Sequence, residues 1–113
     1  NSNPKAMMIA IDALTYWGAP HYIVMGSMLE LGSLSEKWHR EVARYAKKAN
    51  VKAIFCYGNE AECSATEFGE NGYYFKDQAI LIEKLHDFLT PESTVLIKGS
   101  FSMGMDRIVS CLC

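Results

Sequence analysis

Four short apolar runs, at residues 21–25, 53–57, 73–75 and 94–97, alternate with longer stretches whose apolar residues recur at helical spacing. No other feature constrains the fold as strongly. A short, nearly all-apolar run suits a strand covered on both faces, as in parallel sheets. Strict alternation with helices means right-handed crossovers and a mostly parallel sheet with helices on both faces, a three-layer α/β arrangement. Ligands of such sheets sit beyond the carboxyl ends of the strands. The loops there are 26–32, 57–60, 75–77 and 98–102, and a site is expected among them.

The helical stretches carry their own punctuation. Asn3 is a natural N-cap and Pro4 a natural first residue for a helix with Ala6, Ile9, Ala10, Ala13, Leu14 and Trp17 as its stripe. Trp17, Trp38 and the methionines at helical spacing are expected in the core. Gly18-Ala19-Pro20 stops this first helix. Ser33 and Glu36 form a capping-box pattern before a helix carrying Leu34, Trp38, Val42, Tyr45, Ala46 and Ala49. A short helix is expected over 60–67, and Asp77 can cap another with Leu81, Leu85, Phe88 and Leu89. A last helix would carry Met103, Ile108, Val109 and Leu112.

A chain of 113 residues is about one domain, with no visible linker or repeat, so residues 1–113 read as a single domain. It is 50% hydrophobic and 21% charged, which is ordinary globular usage. The net charge of −2 and the lack of a basic stripe exclude phosphate-driven nucleic-acid binding. The densest basic spot, Arg44, Lys47, Lys48 and Lys52, reads as a solvated helix face and the residues just after it. No apolar run approaches the ~18 residues of a membrane span, and no secretion signal is visible. The start at Asn1 rather than Met leads us to expect a missing N-terminal segment. Cys56, Cys63, Cys111 and Cys113 form no CxxC pair and share no metal-ligand spacing with His21, His39 or His86. Free thiols in a reducing, cytoplasmic compartment and a monomeric state are expected, with no metal site.

The phosphate loop GxxxxGK[ST] is absent, as is GxGxxG, so this chain alone cannot cradle a triphosphate. Lys98-Gly99-Ser100 stands between a strand and a helix. It can meet an anion through an ammonium and free backbone N–H groups, or be an ordinary turn. Glu30, after the first strand, can accept from a substrate ammonium or cap the next helix.

Three segments together resemble one family. Asn1-Ser2-Asn3-Pro4, followed by Ala13-Leu14, resembles the tail of Y-N-x-N-P…A-L. Residues 26–32, Gly-Ser-Met-Leu-Glu-Leu-Gly, with His39 further on, resemble G-D-M-x-E-L-G…H. Residues 98–105, Lys-Gly-Ser-Phe-Ser-Met-Gly-Met, resemble K-G-S-R-S-M-x-M. These motifs are similar to those of the C-terminal domain of the Mur ligases, in the branch that adds D-alanyl-D-alanine to UDP-N-acetylmuramoyl-tripeptide in bacterial peptidoglycan synthesis.

The resemblance implies a Rossmann-like third domain of a longer, three-domain enzyme. The covalently linked N-terminal domain would hold the UDP-sugar and the central one ATP and Mg²⁺. The tripeptide carboxylate is activated as an acyl phosphate, and the dipeptide amine attacks it. The third domain closes over the site and helps receive D-Ala-D-Ala, so it should be inactive alone. Asn1 and Asn3 match residues facing the nucleotide and the central domain. Ser27, Glu30, Lys98 and Ser100 match the loops near the incoming dipeptide. Two positions depart from the pattern: Ser27 replaces an Asp, and Phe101 replaces an Arg that could hold a carboxylate through two parallel hydrogen bonds.

A free-standing flavodoxin-like or receiver-like module is the alternative from another class. Gly26-Ser27, where a receiver would want acidic residues, counts against the latter. The third domain of another Mur-type amide ligase is a further alternative.

Overall fold

The computed structural model describes residues 3–99. Helix α1 spans Pro4–Leu14, β1 His21–Gly26, α2 Ser35–Lys48, β2 Ala53–Tyr57, α3 Glu62–Phe68, β3 Gly72–Phe75, α4 Gln78–Phe88 and β4 Thr94–Lys98. The strands form one parallel sheet in the order β3-β2-β1-β4. Central β1 sets Met25 level with Cys56 on one side and with Lys98 on the other. The expected α/β sheet with helices on both faces is the observed one.

The side-chain alternation of β1 divides the core. Ile23 and Met25, with Ile54 and Cys56 of β2, pack beneath α1, α2 and α3. Tyr22, Val24 and Phe55 face the other way, towards Leu81 and Leu85 of α4. This second layer is aromatic: the Phe55 ring lies 5.5 Å from Tyr73 and 5.4 Å from Phe88. The chain steps from β1 to β3 in one direction, then crosses back to β4. With one crossover hand throughout, that reversal moves the connecting helix to the opposite face, where α4 lies.

Two expected caps are present. Asn3 Oδ1 accepts from the Ala6 N–H at 2.8 Å, and Asp77 Oδ1 from the Ala79 N–H at 2.7 Å. Two local expectations are corrected. The buried stripe of α1 is Met7, Ile11 and Leu14, while Ile9 is 60% and Trp17 68% exposed. The segment has apolar residues on every side, so periodicity could not choose the face. The helix also stops at Leu14, one turn short of Trp17.

The second correction concerns α2. It starts at Ser35 and no side chain caps it. Left-handed Gly32 (φ +58°) feeds a 3₁₀ turn over Gly32–Leu34, which leaves Ser33 outside the helix. Glu36 in the first turn and Lys47 and Lys48 in the last still complement the helix dipole. The basic spot is solvated as expected, with Arg44 paired to Glu67 at 2.8 Å and to Glu41. The expected last helix lies outside the described residues.

Candidate functional site

Between β1 and β4 the strand order reverses direction. The crevice beyond their carboxyl ends is where open α/β sheets bind ligands. Sequence reasoning placed Ser27 and Glu30 in the loop after the first strand and Lys98 at the end of the last strand. The level pairing of Met25 with Lys98 brings the two loops to the same edge. Ser100 and Asn1 lie outside the described residues, as does Phe101.

The β1 loop is tightly held. Ser27 is fully buried, and its hydroxyl has no hydrogen-bond partner. Met28 is also buried, and its N–H donates to His39 Nε2 at 2.9 Å. His39 Nδ1 lies 2.8 Å from the Ser35 carbonyl and donates to it. Nε2 accepts and Nδ1 donates, so the ring is neutral. Burial holds its pKa below the ordinary histidine value, outweighing the Ser35 contact and the nearby Glu60 carboxylate, which both raise it. One imidazole thus ties the loop to α2, and Ser64 Oγ, 2.7 Å from the His39 carbonyl, ties α3 to the same point. His39 entered the sequence reading only as a motif member. Its role was invisible there because its key partner is a backbone N–H eleven residues away.

Beyond Met28 the loop turns out to solvent. Glu30 is exposed and left-handed at φ +66°, a region that non-glycine residues seldom occupy. With Gly32 it brackets Leu31, which packs back on the core. Glu30 and Lys98 have no side-chain hydrogen bond or ion pair among the described residues. A carboxylate and an ammonium are therefore both available at the strand ends.

Asn3 spends its side-chain oxygen on the helix cap, which favours the structural half of its expected role. It also borders an apolar groove of about 520 Å³ with Pro4, Met8, Ile9, Leu31 and Trp38. Through Leu31 this groove reaches the loop that carries Glu30.

The side chains present bear on two further chemistries. Burial raises the pKa of both the Cys56 and Cys63 thiols, so neither is poised as a nucleophile. Among the described residues no group of three or more His, Cys, Asp or Glu side chains could hold a metal ion. Together with the missing phosphate loop, this means the described residues do not fit Mg²⁺ and a triphosphate. No helix of the described residues is long and apolar enough to cross a membrane.

Known proteins share this fold. Residues 1–101 match the family described as Mur ligase, glutamate ligase domain. The UDP-N-acetylmuramoyl-tripeptide–D-alanyl-D-alanine ligase of Escherichia coli is 32% identical over 99% of this chain. The ligase of the same name from Haemophilus influenzae is also 32% identical over 99% of the chain. In both cases the chain spans about a quarter of the relative's length, 25%. A crystal structure of MurF from Acinetobacter baumannii superposes with a TM-score of 0.87 at 26% identity, over 99% of this chain and 26% of that one. MurF ligase from Thermotoga maritima, solved in complex with ADP, shares the fold at a TM-score of 0.82 and 21% identity, over 97% of this chain and 25% of that one. This chain belongs to the Mur ligase C-terminal domain family and is homologous to the D-alanyl-D-alanine-adding ligases.

Proposed function

We propose that this chain is the C-terminal domain of a longer cytoplasmic ligase that joins D-Ala-D-Ala to UDP-N-acetylmuramoyl-tripeptide at the expense of ATP. The observation that carries this reading is the 32% identity over 99% of the chain to ligases of that name. ATP and Mg²⁺ fall to the covalently linked parts of the longer protein, because this chain has no phosphate loop and its described residues no metal cluster.

The domain's share of the work is positioning. Holding an amine against an activated carboxyl carbon can supply several kcal/mol of a reaction barrier, on the order of 7–11 in favourable cases. The β1 loop, pinned through His39, presents Glu30, and the end of β4 presents Lys98. Lys98 is an ammonium for the dipeptide carboxylate or for developing phosphate charge, with Ser100 beside it in sequence. The Ser27 hydroxyl is uncommitted but fully buried, so Ser27 serves this site through the loop's backbone. By the family resemblance, Asn1 and Asn3 would serve the side of the preceding domain and its nucleotide.

The test is a ligation assay on the full-length protein. Lys98→Ala is expected to lower kcat/KM for the dipeptide by about 10-fold or more, as loss of a charge-assisted contact would. The melting temperature should stay unchanged. An unaltered kcat/KM removes Lys98 from the site. Absence of D-Ala-D-Ala-dependent turnover in the wild type overturns the ligase reading.

A further inference from the structure

Two surface features have no part in the strand-end site, and both lie at the amino ends of the strands, the edge opposite the crevice. The first is apolar. Tyr16 is 89% and Trp17 68% exposed, the two most exposed large hydrophobic side chains among the described residues. They follow the end of α1 and carry the chain towards Gly18 and β1. The second is the basic spot around the end of α2. Arg44 is spent on Glu41 and Glu67, and Lys47 donates to the Phe68 carbonyl at 3.0 Å. Lys48 and Lys52 are exposed, and neither side chain has a hydrogen bond or ion pair among the described residues.

The fold brings these features together by two routes. Helices α1 and α2 each lead into a strand of one parallel sheet, so both run towards the amino edge. They are tied where the Tyr45 hydroxyl donates to Asp12 Oδ1 at 2.6 Å. About one turn further on stand Tyr16, after Asp12, and Lys48, after Tyr45. At the strand starts, His21 Nε2 lies 2.7 Å from the Trp17 carbonyl, and the His21 carbonyl accepts from the Lys52 N–H at 2.8 Å. Trp17 and Lys52 are thus joined through a single residue. The Asp12 carboxylate is engaged by Tyr45. Glu92, packed by its backbone against Gly18, brings a carboxylate to the β4 side of the patch.

An indole and a phenol each join an apolar ring to a polar tip, which suits the interfacial layer of a bilayer. An anionic leaflet attracts ammonium groups beside them. The two free ammonium groups favour an anionic surface over a purely apolar one. A single-stranded nucleic acid would need a basic groove along its phosphates, and two lysines do not make one. We propose that the amino edge of this domain is a peripheral docking surface for an anionic lipid bilayer. Tyr16 and Trp17 enter the headgroup layer, and Lys48 and Lys52 meet lipid phosphates. The contact is superficial, since no helix of the described residues is long and apolar enough to cross a membrane. It leaves the opposite edge, with Glu30 and Lys98, turned away from the lipid. Docking at this edge does not depend on the ligase reading.

The experiment is flotation of the full-length protein with vesicles of equal parts phosphatidylglycerol and phosphatidylcholine, against vesicles of phosphatidylcholine alone. Binding is expected to the anionic vesicles and should fall steeply as salt rises from about 0.1 to about 0.5 M. Lys48→Ala combined with Lys52→Ala should lower vesicle affinity roughly 30-fold, the effect of two lysines at an anionic surface. Tyr16→Ser combined with Trp17→Ser should lower it about 10-fold or more. Ile80→Ser, at an exposed apolar position on α4, should bind as the wild type does. All these side chains are exposed, so the variants should fold; unchanged melting temperatures check this. A wild type that ignores the anionic vesicles or binds both kinds equally overturns the proposal. Full affinity in either double variant overturns it too. So does a lipid-free dimer that Trp17→Ser abolishes, which would make a second copy the occupant.

Discussion

The two sides of the strand-end rim are built differently. On the β1 side residues 22–28 are buried, and the Met28 N–H is held by a neutral imidazole anchored on α2. On the β2–β3 side, Glu60 and Lys76 stand exposed with no side-chain hydrogen bond or ion pair among the described residues. The first arrangement fixes a backbone. The second leaves charges free to meet a ligand. A domain that positions a substrate needs both, and here they are carried by adjacent loops rather than by one. The pinned side should therefore respond to mutation mainly in stability, and the open side mainly in substrate affinity.

The sharpest way to break that division is His39→Leu. It strands the buried Met28 N–H and is expected to cost about 1–3 kcal/mol of unfolding free energy, read by urea denaturation. A loss in dipeptide KM with no loss of stability would show that the loop is not held as described.

A smaller effect is expected from pH. The folded pKa of His39 lies below its ordinary value of 6.5. As pH falls the unfolded chain therefore binds the proton first. The histidine's contribution is complete above about pH 6.5 and declines as pH drops towards the folded pKa. Chemical denaturation between pH 7.5 and 5 should show this slope in the wild type and a flatter one in His39→Leu. Equal slopes would mean that the ring is solvated.

Ser27→Ala should change stability least. The hydroxyl is buried without a partner, so removing it costs the fold nothing and should be neutral or slightly stabilising, within about 1 kcal/mol. A clear destabilisation would reveal a hidden partner. A raised dipeptide KM at unchanged stability would move Ser27 to the recognition side.

The strands were legible because burial on both faces writes itself as uninterrupted apolar runs; β1 and β2 begin at His21 and Ala53, as their patterns require. Legibility failed where several faces competed. Met7, Met8, Ile9 and Ile11 give α1 no single stripe, and only the packing against the sheet selects Met7 and Ile11. It failed at Ser33 because the left-handed Gly32 moves the helix start, a backbone choice that a capping pattern does not encode.

At the site, sequence motifs named Glu30 and Lys98, and the alternation placed them at one edge. The service of His39 to Met28 could not be read, since it joins a side chain to a backbone group. Glu60 and Lys76 belong to none of the three motifs, and only the sheet order brings their loops together.

The central claim is that the carboxyl ends of these strands receive the incoming dipeptide. The most direct measurement is photolabelling of the full-length protein with a diazirine-bearing D-Ala-D-Ala analogue, in the presence of ATP and the UDP-tripeptide, followed by mass-spectrometric mapping. Label on segments 27–31 and 96–99, competed away by D-Ala-D-Ala, is the predicted result. Competable label confined to sequence outside residues 1–113 would contradict it.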